Sequence, residues 1–424
     1  MLNVVILGLV SLLTDLSAEM IYPLVPLYLV SRLGATPALV GLIEGTVESL
    51  ASLLRVVFGQ VADRARRRKP LVILGYSASA LSRVVMYLAG SWGLVYLARG
   101  LDRFGKGVRS APRDALIADG VPQAVRGRGF GLHRLLDSAG AAAGAGVAFF
   151  ALLRWADAYR SVFLASLIPG VCAVLVLALV RETPRARPWR EAAPVCSATP
   201  GGAGAARPRA PGLLSAWPRL DRRLKGFLLL CFLFSLGNSS NQFLLLRAQS
   251  SGYSPATVVL LYLLYNLVYS LTSYPAGRLS DRVGRKAVIT AGFAAYALVY
   301  LGFAHPPGVA WFWALFLAYG VYSGLTDGVE KALVVDLAPA ELRATLVGLH
   351  STLVGVALFP ASLLAGVLWN AFGPAAPFYL GSATAALAAL GLQVVLRAPS
   401  RGGAPAGGRR KGTVAPESGG RAWD

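Results

Sequence analysis

Apolar stretches of about twenty residues recur along this chain, separated by short polar turns, and the polar positions inside them fall three or four residues apart. A hydrocarbon core about 30 Å thick is crossed by about 20 helical residues. The pattern therefore predicts twelve spanning helices, over 3–30, 38–62, 70–89, 93–119, 126–153, 160–180, 224–246, 255–279, 286–304, 309–336, 342–369 and 374–396. Between the sixth and seventh, the stretch Thr183–Pro218 is rich in Pro, Gly, Ala and Arg and buries too little apolar surface to order itself. The expected organisation is a six-helix bundle over 1–182, a linker over 183–222, a second six-helix bundle over 223–397 and a mobile tail over 398–424.

Composition agrees with a chain whose solvent is mostly lipid. Of 424 residues, 55% are hydrophobic and 14% charged, whereas soluble domains carry roughly 25% charged residues; the mean hydropathy is +0.58. A net charge of +21 would point to nucleic acid in a soluble protein. Here the cations crowd into alternate connections: Arg64, Arg66, Arg67, Arg68 and Lys69, then Arg126 and Arg128, the central linker, Arg282, Arg285 and Lys286, and the tail. That is the positive-inside pattern of a multi-pass inner-membrane protein with both termini cytoplasmic, and it removes nucleic acid from the expected partners.

Cys172, Cys196 and Cys231 show neither CxxC spacing nor a paired framework, so no disulfide, metal site or cofactor is expected. The first apolar stretch lacks a basic leader and carries Asp15 and Glu19, which reads as a retained span rather than a cleaved signal. No GxxxxGK[ST], HExxH or GxSxG motif is present, so neither ATP-driven work nor enzyme catalysis is expected.

An internal repeat decides the fold class. At a constant offset, Asp119, Pro122, Arg126, Gly131, Leu132 and His133 fall on Asp336, Pro339, Arg343, Gly348, Leu349 and His350. Gly59, Asp63, Arg64, Arg67 and Arg68 likewise fall on Gly277, Asp281, Arg282, Arg285 and Lys286. With six spans in each half, the repeats share one orientation in the membrane, giving an all-α membrane protein of two pseudo-twofold-related bundles with a site between them near the midplane.

The segment GRLSDRVGRK from Gly277 resembles the hallmark loop of the major facilitator superfamily. The copy from Gly59, GQVADRARRRK, keeps Gly59, Asp63 and Arg64 but has Arg66 where Gly284 stands in the second half. In the fourth span, Arg103, Lys106, Gly107 and Arg109-Ser110-Ala111 resemble that family's fourth-helix motif, whose Arg is associated with proton coupling; Lys106 and Arg109 depart from its usual residue types. The fifth span has Gly140, Gly144 and Gly146 but not the Gly-Pro pair of many drug and proton antiporters, so its glycines read equally as packing positions. The resemblance implies the twelve-helix fold of bacterial efflux-type carriers, alternating access by a monomer, and loop residues Gly59, Asp63, Arg64, Gly277, Asp281, Arg282, Gly284 and Arg285 that gate the cytoplasmic side.

Each ionised side chain at the bilayer centre costs about 2.5–3.5 kcal/mol on insertion scales, so those inside spans must pair or line water. In the first half the candidates for coupling and cavity are Asp15, Glu19, Glu44, Glu48, Asp102, Arg103, Arg109, Arg113, Arg134 and Asp137. In the second half, Asn238, Asn241, Gln242, Tyr262, Tyr265, Asn266, Tyr269, Asp327, Glu330 and Lys331 offer mainly hydrogen bonds. The division suggests that the first half couples protons while the second binds solute; the competing reading is a static set of ion pairs, preferred for Asp114, Asp119 and Asp336 near the cytoplasmic ends. His133 and His350 could ligate a metal or relay protons, and their equivalence in the repeat favours a structural reading. The expected activity is proton-coupled export of a small, drug-like solute. A divalent-metal exporter, an importer of anionic metabolites and a non-transporting receptor remain open.

Overall fold

A computed structural model of the chain describes residues 2–65, 67–121, 126–155, 157–182, 218, 220–306, 308, 310–339 and 342–396. The expected tail and nearly all of the expected linker lie outside the described residues. Fourteen helices are described: α1 Leu2–Ile21, α2 Leu24–Ser31, α3 Pro37–Arg64, α4 Lys69–Tyr87, α5 Trp92–Asp119, α6 Arg126–Arg154 and α7 Tyr159–Leu177 in the first half. The second half contains α8 Arg222–Gly237, α9 Gln242–Ser250, α10 Pro255–Val283, α11 Arg285–Ala304, α12 Trp311–Leu337, α13 Arg343–Phe372 and α14 Ala376–Val395. No strand occurs among the described residues.

These make the twelve predicted spans, with two corrections. The first span breaks between α1 and α2, and the seventh between α8 and α9, where continuous helices over 3–30 and 224–246 were expected. In the first, Pro23 interrupts the backbone ladder. In the seventh, Asn238–Asn241 leaves the helix, and side chains satisfy part of the released backbone: Tyr296 donates to the Gly237 carbonyl at 3.2 Å, and Ser240 N–H donates to Ser362 Oγ at 3.1 Å. Ser240 lies 218 residues after Tyr22, the separation of Gly277 from Gly59, so the two breaks are repeat-related.

The repeat also shows in the caps. Thr36 accepts from Leu39 N–H ahead of Pro37, and Ser254 accepts from Thr257 N–H ahead of Pro255, opening α3 and α10 alike. The far ends differ: α10 stops at Gly284, whose φ of +92° favours glycine, while α3 ends at Ala65 in extended backbone. Arg66, at the glycine's equivalent position, lies outside the described residues.

Ten spans are long and apolar enough to cross a membrane by composition; α5 and α12, rich in charge and tyrosine, are the other two. Within the first half α1 packs on α6 and α7, and α4 on α5; within the second, α10 packs on α12, and α11 on α14. Lipid tails supply no hydrophobic drive between helices, so close backbone approach matters. Gly140 and Gly144 place the α6 backbone directly against Leu12 and Leu16 of α1. The glycine row of the fifth span is thus a packing surface at these two positions.

The halves meet along α3 against α13 and α6 against α10, with α2 touching α9 and α10 at one face. That face is opposite the ends carrying Arg67, Arg68, Lys69, Arg282, Arg285 and Lys286, which we term the basic face. Along α3 and α13, Gly41 abuts the Ser362 backbone and Gly366 abuts Ala38, Gly355 meets Ser52, and nearer the basic face Gly348 meets nothing within 4 Å. The bundles are therefore closed at one face and separate toward the basic one.

Candidate functional site

A layer of buried ions spans α3, α4 and α5. The Glu44/Glu48 pair on α3 and the Arg99/Asp102/Arg103 set on α5 recur at helical spacing, which aligns them along facing stripes. Arg99 holds Glu44 through two bonds of 2.7 Å. Arg83 donates to Asp102 at 2.9 Å and Arg103 pairs with Glu48 at 2.5 Å. Asp102 also sits 3.9 Å from Arg99 and 3.8 Å from Arg103. Three guanidinium groups thus balance three carboxylates, the condition under which charges survive burial. The Tyr22 ring covers the guanidinium groups of Arg99 and Arg103 at 5.2 and 5.7 Å. Glu44 is fully buried and Asp102 nearly so, and neither lines a described cavity. Expected in the cavity, they stand in its wall because bidentate and doubly shared pairing satisfies them there.

Toward the basic face from this layer, the first half encloses about 310 Å³. Of the expected residues, Asp15, Arg109, Arg113, Arg134 and Asp137 line it; Arg55, Lys106 and Asp114 join them. Arg109 donates to Ser79 Oγ at 2.5 Å and lies 4.6 Å above the Tyr76 ring. Arg113 donates to Asp114 at 3.0 Å and to Ser11 at 3.1 Å, while Arg134 reaches Asp137 at 3.5 Å. Asp15 of α1 and Asp137 of α6 line this cavity together, so ionising both would set like charges against each other. Lys106, midway along α5, makes no ion pair among the described residues.

The second half encloses about 320 Å³ with a different lining. Tyr319 donates to Asn241 Oδ1 at 2.8 Å, Asn241 donates to Tyr265 at 3.4 Å, and Tyr296 donates to Asn238 at 3.3 Å. Asp327 accepts from Tyr269 at 2.9 Å and from Lys331 at 2.7 Å. Asn238, Asn241, Tyr265, Tyr269, Asp327 and Glu330 line the space; Gln242, Tyr262, Asn266 and Lys331 do not. Gln242 is fully buried and Asn266 bonds back to the Tyr262 carbonyl at 2.9 Å. Tyr262 instead donates to Glu19 at 2.9 Å, joining the two halves.

At the basic face, Arg68 pairs with Asp119 at 2.7 Å and Arg285 with Asp336 at 2.8 Å, nearly the same bond in each half. Asp281, Arg282 and Gly284 of the family loop are exposed and Gly277 is half-buried; Gly59 lies beside Ala111. The side chains of Asp63 and Arg64 lie outside the described residues.

Sequence reasoning overlooked Arg83, Tyr22 and Tyr76, and the tyrosines 296, 300, 319 and 322. Arg83 carried a legible signal, a guanidinium in the middle of an apolar span. The tyrosines did not, since their rings read as ordinary core until α11 and α12 bring them together. It also missed that Cys231, Glu330 and His350, on α8, α12 and α13, converge so that one donor atom of each lies within 4.8 Å of the others.

The family model described as Major Facilitator Superfamily matches residues 7–246 and again 227–423. An uncharacterized MFS-type transporter of Methanocaldococcus jannaschii is 35% identical over 394 residues, covering 92% of this chain and 93% of that one. A shorter stretch of 135 residues is 32% identical to the multidrug resistance protein MdtH of Yersinia enterocolitica, covering 32% of this chain and 33% of the relative. Among solved structures, the nucleoside transporter NupG superposes with a TM-score of 0.75 at 13% identity, covering 94% of this chain and 100% of NupG.

Proposed function

Because the chain belongs to the Major Facilitator Superfamily of membrane transporters, we propose that it exports a small organic solute bearing an anionic group in exchange for protons. One observation carries this reading. The first-half cavity is lined by five cations, Arg55, Lys106, Arg109, Arg113 and Arg134, against three carboxylates, Asp15, Asp114 and Asp137.

Lys106 and Arg109 supply the anion's partners. Arg109 is held in place by Ser79 and Tyr76, whereas Lys106 is free to reach across the cavity. The tyrosine and asparagine lining of the second half suits the uncharged body of the solute, through ring contact and hydrogen bonds. Proton exchange falls to Asp15 and Asp137: while the two carboxyl groups lie close, ionising both is costly and a proton is kept, and separating them lowers that cost and releases it. With the positive-inside rule setting the basic face in the cytoplasm, the cavity opens inward. The outward direction is supported by the stretch similar to a multidrug resistance protein. A second reading, export of an amphipathic cation, is favoured by Asp327 and Glu330 in the second-half lining.

Purified protein in proteoliposomes under an imposed pH gradient tests the proposal with a panel of organic anions and cations. Anion flux should follow the gradient, Lys106→Met should cut it about tenfold or more, and Asp15→Asn should leave downhill exchange while abolishing gradient-driven accumulation. Flux of cations alone, or coupling unchanged in Asp15→Asn and Asp137→Asn, overturns it.

A further inference from the structure

The trio of Cys231, Glu330 and His350 has no place in the transport reading above. Cys231 is a buried free thiol, His350 is 3% exposed, and Glu330 lines the second-half cavity. Nε2 of His350 stands 3.2 Å from a Glu330 carboxylate oxygen, yet neither ring nitrogen makes a hydrogen bond among the described residues. Buried imidazoles ordinarily satisfy at least one nitrogen, so a ring with Nδ1 unbonded and Nε2 close to a carboxylate without a formed hydrogen bond leaves room for a further ligand. Phe227 stacks on the imidazole with a 3° angle between ring planes and fixes its orientation.

We propose that Cys231 Sγ, the Glu330 carboxylate and His350 form a binding site for one first-row transition-metal dication of the zinc or cobalt(II) kind, with its fourth position open to the second-half cavity. Around such an ion, bonds of about 2.0–2.3 Å in a tetrahedron set donors about 3.5 Å apart. The three donors here lie within 4.8 Å of one another, so a contraction of about 1 Å completes the shell. One thiolate, one imidazole and one carboxylate are a borderline-soft set that disfavours magnesium and calcium. The thiol gives up its proton as the metal binds, and the cavity that reaches Glu330 supplies the exit for that proton and the entry for the ion.

The repeat sharpens the inference. At the separation of 217 residues Glu330 and His350 correspond to Arg113 and His133, and at the separation of 218 that relates the earlier spans Cys231 corresponds to Leu13. In the first half a guanidinium occupies the carboxylate's position, and a leucine, which offers no donor atom, that of the thiol. Both halves thus retain a histidine at this place, and among the described residues a cluster of three donors forms around the second. The inference is independent of the solute proposed above, and failure of either leaves the other standing.

Cobalt(II) titration of the purified full-length chain in detergent tests it. The wild type should bind one ion per chain with a sulfur-to-cobalt charge-transfer band in the near ultraviolet. Cys231→Ser should lose the band, and Glu330→Gln and His350→Gln should each weaken binding about tenfold or more, while His133→Gln leaves it unchanged. A wild-type titration without that band overturns the proposal before any variant is made. So does a band that survives in Cys231→Ser, since it would arise from Cys172 or Cys196, or affinity unaltered by both Glu330→Gln and His350→Gln.

Discussion

Arg99 and Glu44 provide a quantitative test of the buried ion layer. Arg99→Met removes both bonds of 2.7 Å from a carboxylate with no exposed surface, and abandoning one partner of a buried pair costs about 3–5 kcal/mol. Glu44→Gln is milder, because its amide oxygen can keep one bond and Arg99 retains Asp102 at 3.9 Å and the Tyr22 ring at 5.2 Å; about 1–3 kcal/mol is expected. Replacing both, Glu44→Leu with Arg99→Met, leaves Asp102 held by Arg83 at 2.9 Å and should come within about 1 kcal/mol of the wild type. Unfolding in mixed micelles titrated with dodecyl sulfate, followed by tryptophan fluorescence, measures all three. The expected order of loss is Arg99→Met, then Glu44→Gln, then the double replacement. A double variant as destabilised as Arg99→Met, or more so, would show that the layer is not held by mutual pairing.

Two further predictions concern the closed face. Tyr262→Phe removes a bond to the Glu19 carboxylate between the halves, worth about 1.5–3 kcal/mol; a Leu27→Cys probe should then react about tenfold faster with an impermeant thiol reagent applied from that face, and an unaltered rate refutes a latching role. Gly41→Leu drives a side chain into the Ser362 backbone and should abolish flux while leaving the same probe permanently reactive; normal flux would show that α3 and α13 do not need this contact.

The twelve spans, their grouping and the repeat were legible because each rests on local properties: length, apolarity and offset. The breaks at Pro23 and Asn238–Asn241 were less so. A hydropathy pattern registers the apolar content of Leu2–Ser31 and Arg222–Ser250 but not the loss of backbone bonds within them. At the site, helical spacing placed Glu44, Glu48, Asp102 and Arg103 on shared stripes, yet it could not decide whether a stripe faces water or another ion. That depends on Arg83, which arrives from α4 and completes the balance of charge. That Asp15 and Asp137 line one cavity was inaccessible for a similar reason, since 122 residues separate them and only the packing of α1 on α6 makes them neighbours. The trio around His350 draws on three spans and shows no local spacing at all.

The paired interruptions in the first and seventh spans have a mechanical consequence. Each half acquires a knee at the same height, built from proline in one and from an asparagine-rich turn in the other. Beyond the knees the short shins α2 and α9 rest on one another, so the longer thighs α1 and α8 can pivot while that footing holds.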